Sequence, residues 1–235
     1  MSTPTQARAD RNRLLWMIVG GAVIVGALVA AIAWYATGSS STTTVADTSS
    51  VDVTAGDASV LVGSADAPVK IVIYEDFQCP VCADLENETR DYLHQNAAQD
   101  KVQVEYQPVN LLTGYPYSAQ ALDAWGAVLK NASPQAALKL HDLLFENQPA
   151  EATTSPVTAA DLAALVKKAD GSNAEVTSAL AAPNTEFLAA AHQQMMDKAV
   201  ASTPTVYIDG TRAAGQDVAQ LVTAIENAVS GTTSP

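Results

Sequence analysis

The chain has 235 residues, room for one ordinary globular domain plus an appendage. It carries 12 basic and 25 acidic side chains, a net charge of −13 at neutral pH, with no basic patch beyond the first 13 residues. That balance excludes nucleic acid as a partner and describes a well-solvated acidic surface.

The first 13 residues are polar and contain Arg8, Arg11 and Arg13. Leu14 to Ala36 then runs for 23 residues without a charged side chain. At about 1.5 Å per residue, a helix of that length crosses a bilayer core of roughly 30 Å. Trp16 and the Trp34-Tyr35 pair stand at its two ends, as interfacial anchors do. The arginines before it place the N-terminus in the cytoplasm and everything after Ala36 outside, in a single-pass cell-membrane protein. The alternative is a cleaved secretory signal, with Ala31-Ile32-Ala33 as a small-residue cleavage site. Both readings export the rest of the chain, to a compartment where a dithiol can be held oxidised. Beyond the span the chain has 9 basic and 24 acidic residues.

Thr37 to Ser59 is rich in Ser, Thr, Gly and Asp and reads as a flexible linker with a reach of roughly 25 Å. The folded domain is expected over 60–230. Val69 to Tyr74 is dense in β-branched residues and predicts a buried strand. Pro80 to Asn96 has Cys82, Leu85, Thr89 and Leu93 at helical spacing. Val102 to Tyr106 alternates as a second strand, so the three segments form a βαβ unit. From Tyr117 to Val200 the chain is rich in Ala and Leu, with breaks near 131–134, 148–156, 170–172 and 183, which predicts four or five successive helices. Thr205 to Ile208, a turn at Asp209-Gly210, a short strand at Thr211–Ala213 and a helix from about Gln216 to Val229 complete it.

The only two cysteines, Cys79 and Cys82, lie two residues apart where the first long strand gives way to the helix. A Cys-x-x-Cys at such a junction makes a redox-active dithiol. If the helix begins at Cys79 or Pro80, the free N–H groups of its first turn face the Cys79 sulfur and favour its thiolate. Pro80 suits the first helical position. Cys79 is then the exposed nucleophile and Cys82 the shielded partner that resolves or closes the disulfide. A purely structural bridge would close a very short loop and gain little chain entropy. A zinc site needs about four ligands; His94, His141 and His192 have no ligand-like spacing and are read as packing or surface residues, so no metal is expected. Thr203-Pro204 before an apolar strand is by itself only a turn signal. Asn87-Glu88-Thr89 and Asn131-Ala132-Ser133 match the glycosylation triplet by chance.

Three motifs in order carry a resemblance: Asp76-Phe77-Gln78-Cys79-Pro80-Val81-Cys82, His141-Asp142-Leu143-Leu144-Phe145-Glu146-Asn147-Gln148, and Ser202-Thr203-Pro204-Thr205-Val206-Tyr207-Ile208-Asp209-Gly210 followed by Gly215. From about Val60 to Val229 the chain resembles the DsbA-like branch of the thioredoxin superfamily. The resemblance implies an α/β thioredoxin fold with a helical subdomain inserted at about 115–182. It implies a cis Thr203–Pro204 bond against the dithiol, with the Thr203 backbone pairing with substrate. It makes 141–148 a packing signature of the inserted helices rather than a catalytic element. Two positions depart from the family: Val81 stands where the prototype has His, and Ile73 where many members have a buried Glu. Glu75 is nearby, and proton traffic to Cys82 would use it or water. Pro80, Val81 and Glu75 are therefore the expected tuning residues. The Cys79 pKa is expected below the free value of about 8.5 but above about 3.5.

The resemblance implies an extracytoplasmic enzyme that introduces disulfides into exported cysteine-containing proteins. It would work as a monomer without a cofactor beyond its own Cys79–Cys82 disulfide, and would be reoxidised by a membrane partner, a quinone-linked enzyme. The alternatives are a reductase or isomerase of the same fold, and a tethered binding module without catalysis.

Overall fold

The computed structural model describes residues 51–150, 154–182 and 184–231. The chain divides into two units, Met1–Val45 and Ala46–Pro235, and everything described lies in the second. Among the described residues no helix is long and apolar enough to cross a membrane. The span expected at 14–36 lies outside them.

Six described strands form one sheet in the order β1-β2-β4-β3-β5-β6. At its centre β3 (Val69–Glu75) and β4 (Val102–Pro108) run parallel, from Val69 opposite Val102 to Glu75 opposite Pro108. They are joined by helix α1 (Pro80–Ala97). On the other side of β3, β5 (Thr205–Ile208) is antiparallel, with Tyr74 opposite Thr205. β6 (Thr211–Arg212) folds back on β5 through Asp209 and Gly210, both at positive φ, as a two-residue hairpin requires.

The far edge corrects the linker boundary. β1 (Val53–Ala55) pairs antiparallel with β2 (Val60–Val62), so residues 53–59 belong to the domain. Their polar composition hides a tight connection: Gly56 N–H donates to Ser59 O at 2.9 Å, and the Ser59 hydroxyl donates to Glu105 at 2.6 Å. A Cβ on Gly56 would lie 2.2 Å from the Ser59 hydroxyl oxygen. Here polar residues serve the turn and the strand pairing rather than solvation.

Strand β3 is covered on both faces, which is why its sequence is nearly all apolar. Ile71 and Ile73 enter the main core, whereas Tyr74 packs with Val109, Met195 and Val200 in a separate cluster. Helices α2 (Pro116–Asn131), α3 (Pro134–Glu146), α4 (Ala159–Lys168) and α5 (Ala174–Leu180) follow β4, then α6 (Thr185–Asp197), and α7 (Val218–Ser230) ends the domain. The helix boundaries fall where Pro and capping residues put them: Ser133, Thr158, Asn173, Asn184 and Asp217 each accept a backbone N–H at a helix start. The inserted helices share the core through Trp125, whose indole donates to Ala137 O at 2.9 Å. Gly126 lets the Phe187 ring approach; a Cβ there would sit 2.4 Å from it.

Candidate active site

The sheet brings three separate stretches to the C-terminal end of β3: the Cys79 turn, the loop after α3, and the Thr203-Pro204 loop. Cys79 is the N-cap of α1, in extended conformation, with Pro80 at the first helical position. Its carbonyl accepts from Cys82 N–H at 3.1 Å and Ala83 N–H at 3.2 Å. The two cysteines are free thiols. The Thr203–Pro204 peptide is cis, and the Cys79 thiol donates to Thr203 O at 3.4 Å. The sequence separation of 124 between these partners explains why the sequence alone gives the proline no meaning.

The electrostatics are asymmetric. The Cys79 pKa is lowered from 9.0 to about 6. A hydrogen bond from the Cys82 thiol is the largest cause; burial opposes it, and the N–H groups of Cys82 and Val81 and the Thr203 side chain add to it. The helix end thus contributes as expected, but behind its own partner thiol. Cys82 is pushed well above the ordinary thiol value, first by burial and then by Cys79, with Glu75 adding to it.

Exposure differs from expectation. Cys79 is 6% exposed and Cys82 1%, so the nucleophile is only marginally more open than its partner. The loop after α3 and Thr203 both lie against the cysteine turn. Gln148 Nε2 donates to Phe77 O at 2.8 Å and Cys79 O at 3.0 Å, and Gln78 Nε2 donates to Pro149 O at 3.3 Å. Val81, at 42%, is one of two exposed large hydrophobic residues among the described residues. Its side chain offers the thiolate nothing, yet its backbone N–H does.

Two features escape the sequence reading. Asp76 is fully buried and accepts four bonds: from Gln78 N–H (2.9 Å), Leu111 N–H (2.8 Å), Leu112 N–H (2.9 Å) and the Ser118 hydroxyl (2.7 Å). It ties the cysteine turn to the segment after β4. An Asp two residues before a loop amide is the available signal; its other partners are about 35 to 42 residues away. The second is the stretch 141–148, which is more than packing. Gln148 holds the cysteine turn, and His141 Nε2 lies 2.5 Å from Glu75 Oε1.

Glu75 is also better placed than its sequence position suggests. Successive strand residues alternate faces, so Ile73 and Glu75 point the same way. Glu75 is buried there, one pleat further along, beside the core that holds Cys82. Among the described residues, Glu75, Glu86 and His141 have donor atoms within 4.8 Å of one another, as a metal site would. Those atoms are already engaged: Glu75 with His141, and Glu86 with Arg90 at 3.0 Å. A cation would have to break these bonds beside a guanidinium.

The family model described as thioredoxin matches residues 55–227. The chain belongs to the thioredoxin family. This thioredoxin-family chain is similar to the reduced disulfide bond oxidoreductase DsbG of Mycobacterium tuberculosis, at 25% identity and a TM-score of 0.59, over 74% of this chain and 94% of that one. It shares its fold with MdbA of Corynebacterium diphtheriae, a thiol-disulfide oxidoreductase (22%, TM-score 0.62, 78% and 94% covered). The same holds for oxidised BdbD of Bacillus subtilis (22%, TM-score 0.59, 73% and 92% covered). Comparison with the curated proteins gives no match. Fold and neighbours together make it a DsbA-like protein thiol–disulfide oxidoreductase.

Proposed function

We propose that this oxidoreductase is a membrane-anchored, extracytoplasmic oxidase that introduces disulfides into exported proteins through Cys79 and Cys82. The observation that carries the reading is the asymmetric pair at the cis-proline: a Cys79 thiol pulled down to about 6, in contact with Thr203 O, backed by a Cys82 pushed the other way. A low nucleophile pKa stabilises the reduced form and makes the disulfide a better oxidant.

In the oxidised enzyme a substrate thiolate attacks Cys79 Sγ. The Cys79–Cys82 bond breaks and its electron pair leaves on Cys82. The second substrate thiolate then attacks the substrate sulfur of the mixed disulfide and expels Cys79 as a thiolate, so two electrons pass from substrate to enzyme. Thr203 holds the substrate backbone beside Pro204. Pro80, Val81 and Glu75 tune the pair. A membrane redox partner, a quinone-linked enzyme on the family's pattern, takes the electrons away. The apolar stretch 14–36, with arginines before it, is the anchor, and the enzyme acts as a monomer on the outer side.

Two measurements test this on the full-length chain. Cys79→Ser should abolish both oxidation of a cysteine-pair peptide and insulin reduction. Activity that persists in the variant, or is absent from the wild type, overturns the catalytic reading in favour of a binding module. The reduction potential should lie nearer about −180 mV than the about −270 mV of a thioredoxin-like reductase. A value at the lower end assigns the opposite direction of electron flow.

A further inference from the structure

Beneath Cys82 the core is not apolar. His141 on α3 is fully buried, against the rings of Phe77, Phe145 and Tyr106 at 5.7, 5.1 and 4.7 Å. Three of the elements around it contribute titratable or charged groups. β3 supplies Glu75. α1 supplies Glu86, Arg90 and His94, the last in contact with the Tyr106 hydroxyl of β4 at 3.3 Å. α3 itself supplies Asp142 and Glu146. Arg90 binds Glu86 at 3.0 Å, Glu146 at 3.1 Å and Asp142 at 3.5 Å.

Burying such a group costs more than packing hydrophobic residues in its place. Its geometry suggests what the cost achieves. Both imidazole nitrogens face carboxylates of opposite accessibility. Nε2 lies 2.5 Å from Glu75 Oε1, beside the core that holds Cys82. Nδ1 lies 3.1 Å from Asp142 Oδ1, whose side chain is 18% exposed. Glu86 Oε1 is 4.0 Å from the same nitrogen. An imidazole with one nitrogen toward a buried acid and the other toward a wetted one can take a proton on one side and release it on the other.

Cys82 needs such a route. As the leaving group it becomes a thiolate while 1% exposed, where water does not reach it freely. Burial raises its pKa and Glu75 raises it further, so it demands a proton when the disulfide opens. Burial opposes a charged His141, but Glu75, Asp142 and Glu86 outweigh it and raise its pKa to about 10. The cluster therefore holds a proton at neutral pH.

We propose that His141, acting through Glu75, relays protons between Cys82 and solvent at Asp142. The inference rests on Cys79–Cys82 being the working dithiol. On opening, the S–S bond breaks and Cys82 leaves with the electron pair. A proton passes from His141 to Glu75 and on to Cys82 Sγ, and the imidazole is reprotonated from the Asp142 side. On closing, the Cys82 proton returns along the same groups while its sulfur attacks the Cys79 mixed disulfide and expels the thiol partner. No oxidant is consumed beyond the disulfide being exchanged. His141 does not touch the reacting sulfur; it is a positioning and relay residue.

The test uses full-length protein, with near-ultraviolet circular dichroism and melting to confirm folding. Opening of the disulfide by dithiothreitol is followed by stopped flow from pH 5 to 9, in H2O and D2O. His141→Gln should slow opening ~10-fold or more, as loss of general acid–base help does. With rates divided by the concentration of dithiothreitol thiolate, it should also replace a nearly flat pH profile with one that falls as pH rises. The alkylation midpoint of Cys79, set by the protonated Cys82 thiol, the N–H groups of the helix start and Thr203, should stay in place. Asp142→Asn should show the same change in smaller measure, and it decides the matter if His141→Gln does not fold. A folded His141→Gln with wild-type pH profile and isotope effect overturns the relay. So does stoichiometric zinc binding that depends on His141 and Glu86, which would make the cluster a metal site. Absence of disulfide exchange in the wild type would instead bring down the functional reading itself.

Discussion

The first and second turns of α1 place two chemically identical side chains in opposite surroundings. At the first turn, Cys79 meets donors: the Cys82 thiol, two backbone N–H groups and Thr203. One turn on, Cys82 meets a closed core with a carboxylate beside it. One sulfur is therefore built to carry charge and the other to shed it. The pair is useful because of the difference: equal environments would give either an inert bridge or two competing nucleophiles. The following turns extend the contrast, since Glu86 and Arg90 continue the charged interior along the same helix face.

The comparison breaks most completely if the scaffold that separates the two environments is removed. Asp76 holds the cysteine turn against the segment after β4 with four accepted bonds, two of them fully buried and two partly buried. Asp76→Ala strands those donors and should cost about 3–5 kcal/mol, the range for losing one member of a buried charged arrangement. Urea unfolding of the reduced protein measures it. A loss below about 1 kcal/mol, the value of one ordinary hydrogen bond, would show that the turn is held by other means.

A milder break acts on the Cys79 side alone. Gln148 donates to the carbonyls of Phe77 and Cys79 from a loop some 70 residues away. Gln148→Ala removes both bonds, and Cys79 O keeps its partners within α1. The expected loss is about 1–2 kcal/mol, with faster alkylation of Cys79 because the covering loop is released. Unchanged alkylation would place the cover elsewhere.

The dithiol, its helix and the order of elements were legible because they are local. Pro80 at a helix start, β-branched residues in β3 and helix breaks at Pro and Asn act within a few residues. The cis bond at Thr203 was legible only by resemblance. What escaped depends on contacts across the fold. Ser59 looked like linker until Glu105 arrived from β4. Glu75 is expected from the sequence as a tuning residue, but its buried contact with His141 comes from the fold. His141 had no ligand-like neighbour in sequence, and its carboxylate partner Glu75 lies 66 residues away. Such pairings are set by topology, and composition and spacing do not encode them.

The smallest change sharpens the contrast rather than removing it. Val81 is exposed between the two cysteines and contributes only its backbone N–H to the Cys79 thiolate. Val81→His adds a side-chain donor and, below its own pKa of about 6.5, a positive charge. Both favour the thiolate, so the Cys79 pKa should fall below about 6, while Cys82, behind the helix, should barely change. Thiolate absorbance against pH reads the shift directly. Each unit is worth about 1.4 kcal/mol in favour of the reduced form, which is about 30 mV for a two-electron couple. The potential should therefore become less negative by roughly that amount per unit. The sign follows from linkage: a depressed acid stabilises the reduced fold above its unfolded pKa, and the gain is lost as pH falls through the folded value. The variant's window thus extends to lower pH than the wild type's. A Cys79 midpoint that does not move would mean that the Cys82 thiol and the helix end already saturate the thiolate, and that the residue between the cysteines is not a tuning position in this chain.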